Sequence, residues 1–315
     1  MLNHLYLHKY RVNIRAKEPL YLPTFKGSTF RGALGNTLRR IICPLKNIEC
    51  ESCISKFCCI YSLIIETPIP QDHPHHRKYK RAPNPYVIEP PTTKRQNFEQ
   101  GDIISFDVIL IGKANDYLPY FVYAFTEMGR IGIGKGEGKF DVTTVEAVHI
   151  NGTNDEIFNN TTGLLKPSDN KVSYSNFIEE RLKCNEITLS FETPLRIKER
   201  DRLSREIPFE LLIKRLAERA FLLAHFHCDA EMGDFEGFAK DSKYVDILKA
   251  KLIWVDWERF SAKQNIRMKL GGWTGEITYK GDFQKYLSLL KFGEHIHVGK
   301  AVTFGLGKYK IKMVR

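Results

Sequence analysis

The chain has 315 residues, with 48 Lys and Arg against 37 Asp and Glu, a net charge of +11 and 43% hydrophobic residues. At ~100–200 residues per domain this is two domains with apolar residues enough for two cores, and the basic balance favours an acidic partner, nucleic acid before an anionic membrane. No 18-residue apolar run is present, which excludes a transmembrane helix; the opening MLNHLYLHKYRVNI alternates like a strand and carries charges, unlike a signal peptide, so a cytoplasmic location is expected.

In chain order, Tyr6–Ala16 reads as a strand, and Pro19 and Pro23 mark a loop. TFRGALGNTLRRII then reads as a helix with Phe30, Leu34 and Leu38 on one face and Arg31, Arg39 and Arg40 on the other. Five of the seven cysteines follow within residues 43–59. The spacing C-x6-C-x2-C-x5-C over Cys43, Cys50, Cys53 and Cys59 suits one structural zinc, with Cys58 as a substitute for Cys59. Free thiols are the alternative, since disulfides need an oxidising compartment. Cys184 and Cys228 stand alone and read as small core residues. Residues 68–97 are rich in proline, histidine and basic side chains and read as a long exposed loop interrupted by a short strand at Tyr86–Glu89. A strand (Ser105–Gly112), a helix (Leu118–Arg130) and a strand (Lys139–Ile150) close the first unit.

The polar, turn-rich stretch at 151–185 reads as a linker or hairpin, and the order then repeats over 186–315. The strand Glu186–Lys198 and the helix Ile207–His227 come first, then the strand Lys251–Phe260 and a bent strand Asn265–Gly281 with its bend at Gly271-Gly272. A helix at Asp282–Gly293, stopping on its glycine, and a strand at Lys308–Met313 complete it. Strand, helix, strand, strand, helix, strand is the ferredoxin-like order, so residues 1–150 and 186–315 are expected to form two tandem ferredoxin-like domains of an α+β protein, with a cysteine-rich insertion in the first.

A glycine-rich signature is written twice, as GRIGIGKGEGKFDV from Gly129 and as HIHVGKAVTFGLGKYKI from His295. Each copy sets permissive backbone beside lysines: Lys135 and Lys139 in the first, Lys300 and Lys308 in the second. Glycines let backbone approach phosphates, so Gly299, Gly305 and Gly307 are expected to cradle an RNA backbone. A tight turn with a solvated charged face is the plainer alternative.

These residues resemble the CRISPR-repeat-processing endoribonucleases of the RAMP superfamily. The resemblance lies in FRGALGNTLRR, the cysteines ending CCIY, PNPYVIEPP and the double glycine signature, and above all in GGWTGEITYKGDF and HIHVGKAVTFGLGKYKI. It implies cutting of the repeat transcript into guide RNAs without a catalytic metal: a 2′-hydroxyl attacks the adjacent phosphate, leaving a 2′,3′-cyclic phosphate and a 5′-hydroxyl. The implied partners are the repeat RNA and subunits of a CRISPR effector complex.

Such chemistry needs a base, an acid and cations at phosphorus. The helix after Gly27 contains no histidine between Thr29 and Ile42, which directs attention to His297 and then His295, held on one face if Glu294–Val298 is a strand. Tyr21, Lys26 or Arg31 is the expected stabiliser, and Arg31 and Arg39 are expected to bind RNA together with Lys135, Lys139, Lys300 and Lys308. His225 and His227 read as helix caps, and His73, His75 and His76 as loop residues able to touch RNA. The competing readings are a non-catalytic RAMP-type RNA-binding subunit and a zinc-stabilised module that contacts proteins.

Overall fold

The structure, a computed structural model, describes residues 1–45, 47–178, 185–200, 202–256, 258–261 and 266–313. The expectation for Cys184 lies outside the described residues. Two compact units are present: the first is Tyr6–Val172 with Phe226–Asp229, the second Met1–Leu5, Ser173–His225 and Ala230–Arg315.

The first unit runs β1 (Tyr6–Ala16), β2 (Leu20–Tyr21), α1 (Gly27–Ile42), β3 (Tyr86–Glu89), β4 (Asn97–Phe98), β5 (Ile103–Ile111), α2 (Leu118–Ile131), β6 (Phe140–Val148), β7 (Asn154–Asn159) and β8 (Lys171–Ser173). Its sheet order is β3-β5-β1-β6-β7, with β8 also on β1. Leaving out the additions β7 and β8, the four strands stand in ferredoxin-like order, and the pairs from β3 through β6 are antiparallel. The sequence alternation explains the layers. Tyr10, Val12 and Ile14 of β1 point into the core, where Phe30, Leu34 and Leu38 of α1 and Phe121, Phe125 and Met128 of α2 cover them. Phe106 joins the layers, 4.5 Å from the Phe30 ring centroid and 5.2 Å from that of Phe125. Full burial of each such side chain contributes ~1.5–3 kcal/mol. The alternate residues carry charge: Lys9 pairs with Glu89 at 2.6 Å and Arg11 with Asp107 at 2.9 Å, so this sheet face is largely neutralised.

The second unit runs β9 (Glu186–Leu195), β10 (Lys198–Glu199), β11 (Arg202–Leu203), α3 (Phe209–His227), α4 (Phe235–Ala239), β12 (Asp246–Val255), β13 (Glu258–Ser261), β14 (Ile266–Lys269), β15 (Gly272–Lys280), α5 (Leu287–Ile296) and β16 (Tyr309–Met313). The main sheet, β12-β15-β9-β16, has the same antiparallel ferredoxin-like order. The fold is therefore α+β with two tandem ferredoxin-like units.

Several boundaries move. Part of residues 151–185 belongs to the first sheet, β7 forming a hairpin with β6. The expected strand Lys251–Phe260 starts earlier, at Asp246, and breaks after Val255, while the bent strand divides at Leu270-Gly271 as the paired glycines suggested. The loop at 68–97 is tied down: Pro68 bridges to Arg81, Ile69 and Ala82 are buried, and all of Tyr86–Glu89 is buried. The helix expected to stop at Gly293 continues to Ile296. Gly293 is a packing glycine, because a Cβ there would lie 2.2 Å from the Tyr309 hydroxyl and 2.8 Å from a Leu216 methyl.

Candidate nucleic-acid interface

In the first unit the glycine signature forms the loop between α2 and β6 and lies against β2. Gly134 takes φ +76°, and a Cβ on it would fall 2.2 Å from the Tyr21 carbonyl oxygen. Next to it, the Lys135 N–H donates to that same carbonyl at 3.0 Å. Lys135 Nζ then stands 5.9 Å from the centroid of the Tyr21 ring, and Tyr21 and Lys135 are both exposed. Lys139 is exposed as well, its N–H held by Glu18 at 3.1 Å. Tyr21, Lys135 and Lys139 therefore present one hydroxyl and two ammoniums from one loop system, a group suited to phosphate.

Two expected members leave this group. Lys26 is fully buried, donating to the Thr93 carbonyl at 2.8 Å and the Thr24 carbonyl at 3.3 Å. Burial also lowers its pKa below the ordinary lysine value. Arg31 is half-buried beside Tyr86, where its positive charge opposes the upward push of burial on that phenol. Arg39 turns toward the cysteine-rich segment and donates to the Ile48 carbonyl at 3.3 Å. Arg31 and Arg39 thus face their own unit, while Arg40 is exposed.

In the second unit the C-terminal signature connects α5 to β16. Its glycines take φ +95° at Gly299, +84° at Gly305 and +72° at Gly307. Their surroundings are backbone of the same unit. The Lys300 N–H donates to Arg196 O at 2.8 Å, Gly307 N–H to Pro194 O at 3.0 Å and Val298 N–H to Gly307 O at 3.2 Å. Gly305 N–H donates to Val302 O at 2.8 Å, and Lys308 N–H to Thr193 Oγ1 at 2.9 Å. These amides, expected to cradle phosphate, already have protein acceptors, and close approach of two chain segments explains the glycines. The Lys300 side chain is exposed, whereas Lys308 lies 3.8 Å from Glu192.

The histidines are also placed differently from the expected strand. His295 lies on the last turn of α5, half-buried, with its ring 5.6 Å from that of Phe177. His297 caps that helix with φ 60°, is fully buried, and has Nδ1 3.1 Å from the Leu306 carbonyl. A helix that runs past Gly293 removes the shared strand face. Arg219, also buried, donates to Ile296 O at 2.9 Å, so a cation sits at the negative end of α5, and burial brings its pKa down to about 9. At the end of α3 the rings of His225 and His227 meet the carbonyls of Ala230 and Pro83, each at 2.8 Å. In the loop of the first unit, His73 packs 5.2 Å from the Phe226 ring.

The zinc expected at Cys43, Cys50, Cys53 and Cys59 is not supported by the arrangement of the cysteine segment. Among the described residues no group of three or more His, Cys, Asp or Glu is arranged to hold a metal ion. Cys50 and Cys59 pack against the apolar core, Cys58 is exposed, and burial pushes the Cys50 thiol up, toward its neutral form.

Residues 5–170 match the model of the AF_1859_N N-terminal domain, and residues 189–309 match that of the CRISPR-associated endoribonuclease Cas6. The chain belongs to the AF_1859_N family. Its second unit is Cas6-like. An uncharacterized protein of Archaeoglobus fulgidus is 25% identical over 311 residues, 96% of this chain and 97% of that one. Among solved structures, a Cas6 product complex is similar with TM-score 0.57 and 13% identity, over 97% of this chain and 99% of the other. Thermus thermophilus Cas6 is similar with TM-score 0.54 and 12% identity, over 98% and 99%. A chain of a partial Cas6-RT-Cas1–Cas2 complex has TM-score 0.54 and 16% identity; this protein spans 98% of its own length there but 46% of that longer chain.

The Cas6-like unit also carries a basic surface that the motifs did not point to. The registers line up two rows on the sheet face opposite α3 and α5: Lys312, Thr188, Thr278 and Lys249, then Lys310, Ser190, Glu276 and Lys251. Four lysines therefore border a polar centre holding a single carboxylate. Lys312 pairs with Glu276, and that hydrogen bond leads the lowering of the Glu276 pKa; Lys310 reaches Glu294 around the edge at 3.1 Å. Among the described residues no helix is long and apolar enough to cross a membrane. The sequence signal was available: lysines alternate at period two in KAK (249–251) and KYKIK (308–312), which on a strand puts them on one face.

Proposed function

We propose that this protein binds CRISPR repeat RNA and cuts it without a catalytic metal. The match of residues 189–309 to the Cas6 endoribonuclease model is the observation that supports this reading. In the reaction the 2′-oxygen loses its proton to a base and bonds to the adjacent phosphorus. The P–O5′ bond breaks, and the departing oxygen takes a proton, giving a 2′,3′-cyclic phosphate and a 5′-hydroxyl. Within the second unit the proton transfer is assigned to His295, which is half-buried, rather than to His297, which is buried on a carbonyl; Lys300 supplies charge beside the loop. In the first unit Tyr21, Lys135 and Lys139 hold the RNA backbone.

A second reading, a non-catalytic RNA-binding subunit of a CRISPR complex, is favoured by the burial of His297 and Lys26. Labelled repeat RNA incubated with the protein in EDTA separates the two. Cleavage supports the enzyme, and tight binding with intact RNA supports the subunit.

A further inference from the structure

Beyond the glycine loops, the first unit contains a cavity of about 340 Å³ under the cysteine-rich segment, lined among others by Lys56, Phe57, Ser62, Gln71 and Lys80. Its walls are shaped by an unusual piece of backbone. Ser62–Glu66 forms one wide helical turn, closed by the Thr67 N–H donating to Ser62 O at 2.7 Å. Turns of this width recur at functional sites. Thr67 ends it at φ 45°, a left-handed conformation costly for a β-branched residue, held by its hydroxyl donating to Ala82 O at 2.6 Å.

The decisive group is Ser62. It is 2% exposed, it lines the cavity, and its Oγ meets no hydrogen-bonding partner among the described residues. A hydroxyl buried in this way destabilises the fold unless something else meets it. The remaining walls show what that something is. Phe57 is 44% exposed and offers an aromatic surface. Arg81 engages both carboxylates of the wall, Glu66 at 2.5 Å and Glu51 at 2.7 Å, and with Lys56 and Lys80 the lining keeps one positive charge in excess. Lys56 donates to the Glu51 carbonyl at 2.9 Å and stands 5.2 Å from the centroid of the Phe57 ring, which leaves the other face of that ring to a ligand. Gln71 adds an amide donor and acceptor.

We propose that this cavity binds one nucleotide. The base stacks on Phe57 and is met at its edge by the Ser62 hydroxyl and the Gln71 amide, while Lys56 and Lys80 hold the phosphate. The chemistry is the same for a free nucleotide and for a nucleotide within bound RNA; only the latter source rests on the RNA-binding reading above.

The test measures the binding of AMP, of UMP and of repeat RNA to the wild-type protein and to Phe57→Ala and Ser62→Ala. Phe57 is exposed, and Ser62→Ala removes an unpartnered hydroxyl, so both variants are expected to melt at or above the wild-type temperature. Loss of a stacking platform weakens binding ~5–150-fold, and loss of one hydrogen bond to the base ~5-fold or more. Weakened mononucleotide binding identifies the cavity even if RNA is not bound at all. Weakening for RNA as well assigns the nucleotide to the RNA chain; unchanged RNA affinity assigns it to a free nucleotide. If both variants retain wild-type affinity for RNA, and the wild-type protein binds neither AMP nor UMP or binds them no better than the variants, the proposal is overturned.

Discussion

A Cβ on Gly299 would fall 2.5 Å from the carbonyl oxygen of Arg196, the same oxygen that accepts the Lys300 N–H at 2.8 Å. The C-terminal signature is thus pinned to the end of β9 by backbone, in a conformation with φ +95° at Gly299 that favours glycine. Gly299→Ala is expected to destabilise the second unit by ~1–3 kcal/mol or more, through strain and collision together. Gly136, at φ +87° with nothing within 4 Å of its would-be Cβ, is the control, and Gly136→Ala should cost only the conformational strain, ~1 kcal/mol. Denaturant melts of the two variants check this; equal losses would show that the approach to Arg196 carries no weight.

On the proposed reaction His295 has a chemical role and His297 a structural one. His295→Ala should leave the melting temperature close to wild type and slow repeat cleavage by ~100–10,000-fold, the usual contribution of a positioned acid or base. His297→Ala should instead lose stability by ~1–3 kcal/mol, because it removes a buried ring and its bond to Leu306 O. Unaltered cleavage by His295→Ala would remove that residue from the reaction.

His8 gives the first unit a defined pH response. The ring is buried, its pKa lowered to about 4 chiefly by burial and further by Lys171, against a small opposing effect of Asp169. A histidine held neutral in the fold and titrating near 6.5 when unfolded contributes stability that is full above pH ~6.5 and is lost as pH falls toward 4. His8→Phe keeps the ring between Tyr6 and Tyr10 and should flatten the stability profile between pH 6.5 and 4. Identical pH profiles for the two proteins would contradict this.

The cysteine segment yields a prediction about metal. Since no suitable donor group converges among the described residues and Cys50 is held toward its neutral form, EDTA should leave the melting temperature unchanged. A lowered melting temperature in EDTA, with one zinc per chain in untreated protein, would restore the four-thiolate site that the spacing suggests.

RNA affinity should fall steeply with salt, and each of Lys249→Ala and Lys251→Ala should reduce the slope of log K against log salt by ~1 if the second unit's sheet face grips phosphates. Slopes matching wild type would take RNA off that face.

Much of this fold is legible in the residues. The alternation of Tyr6–Ala16 and the Phe30, Leu34, Leu38 stripe mark β1 and α1 because one buried face is all that each element needs. Gly293 misleads because the same residue type stops helices and also lets helices pack closely; the Tyr309 hydroxyl and the Leu216 methyls, both distant in sequence, distinguish the two. That one difference moves His295 onto a helix and His297 into the core. Lys26 is hidden for a similar reason: nothing near it in sequence announces the Thr93 carbonyl, 67 positions away, that receives its ammonium.

The most direct test of the central proposal is the chemistry of the product ends. Repeat RNA cut by the purified protein in EDTA should yield one fragment ending in a 2′,3′-cyclic phosphate and another beginning with a 5′-hydroxyl. Fragments carrying a 5′-phosphate and a 3′-hydroxyl, or tight binding that leaves the RNA intact, would contradict it.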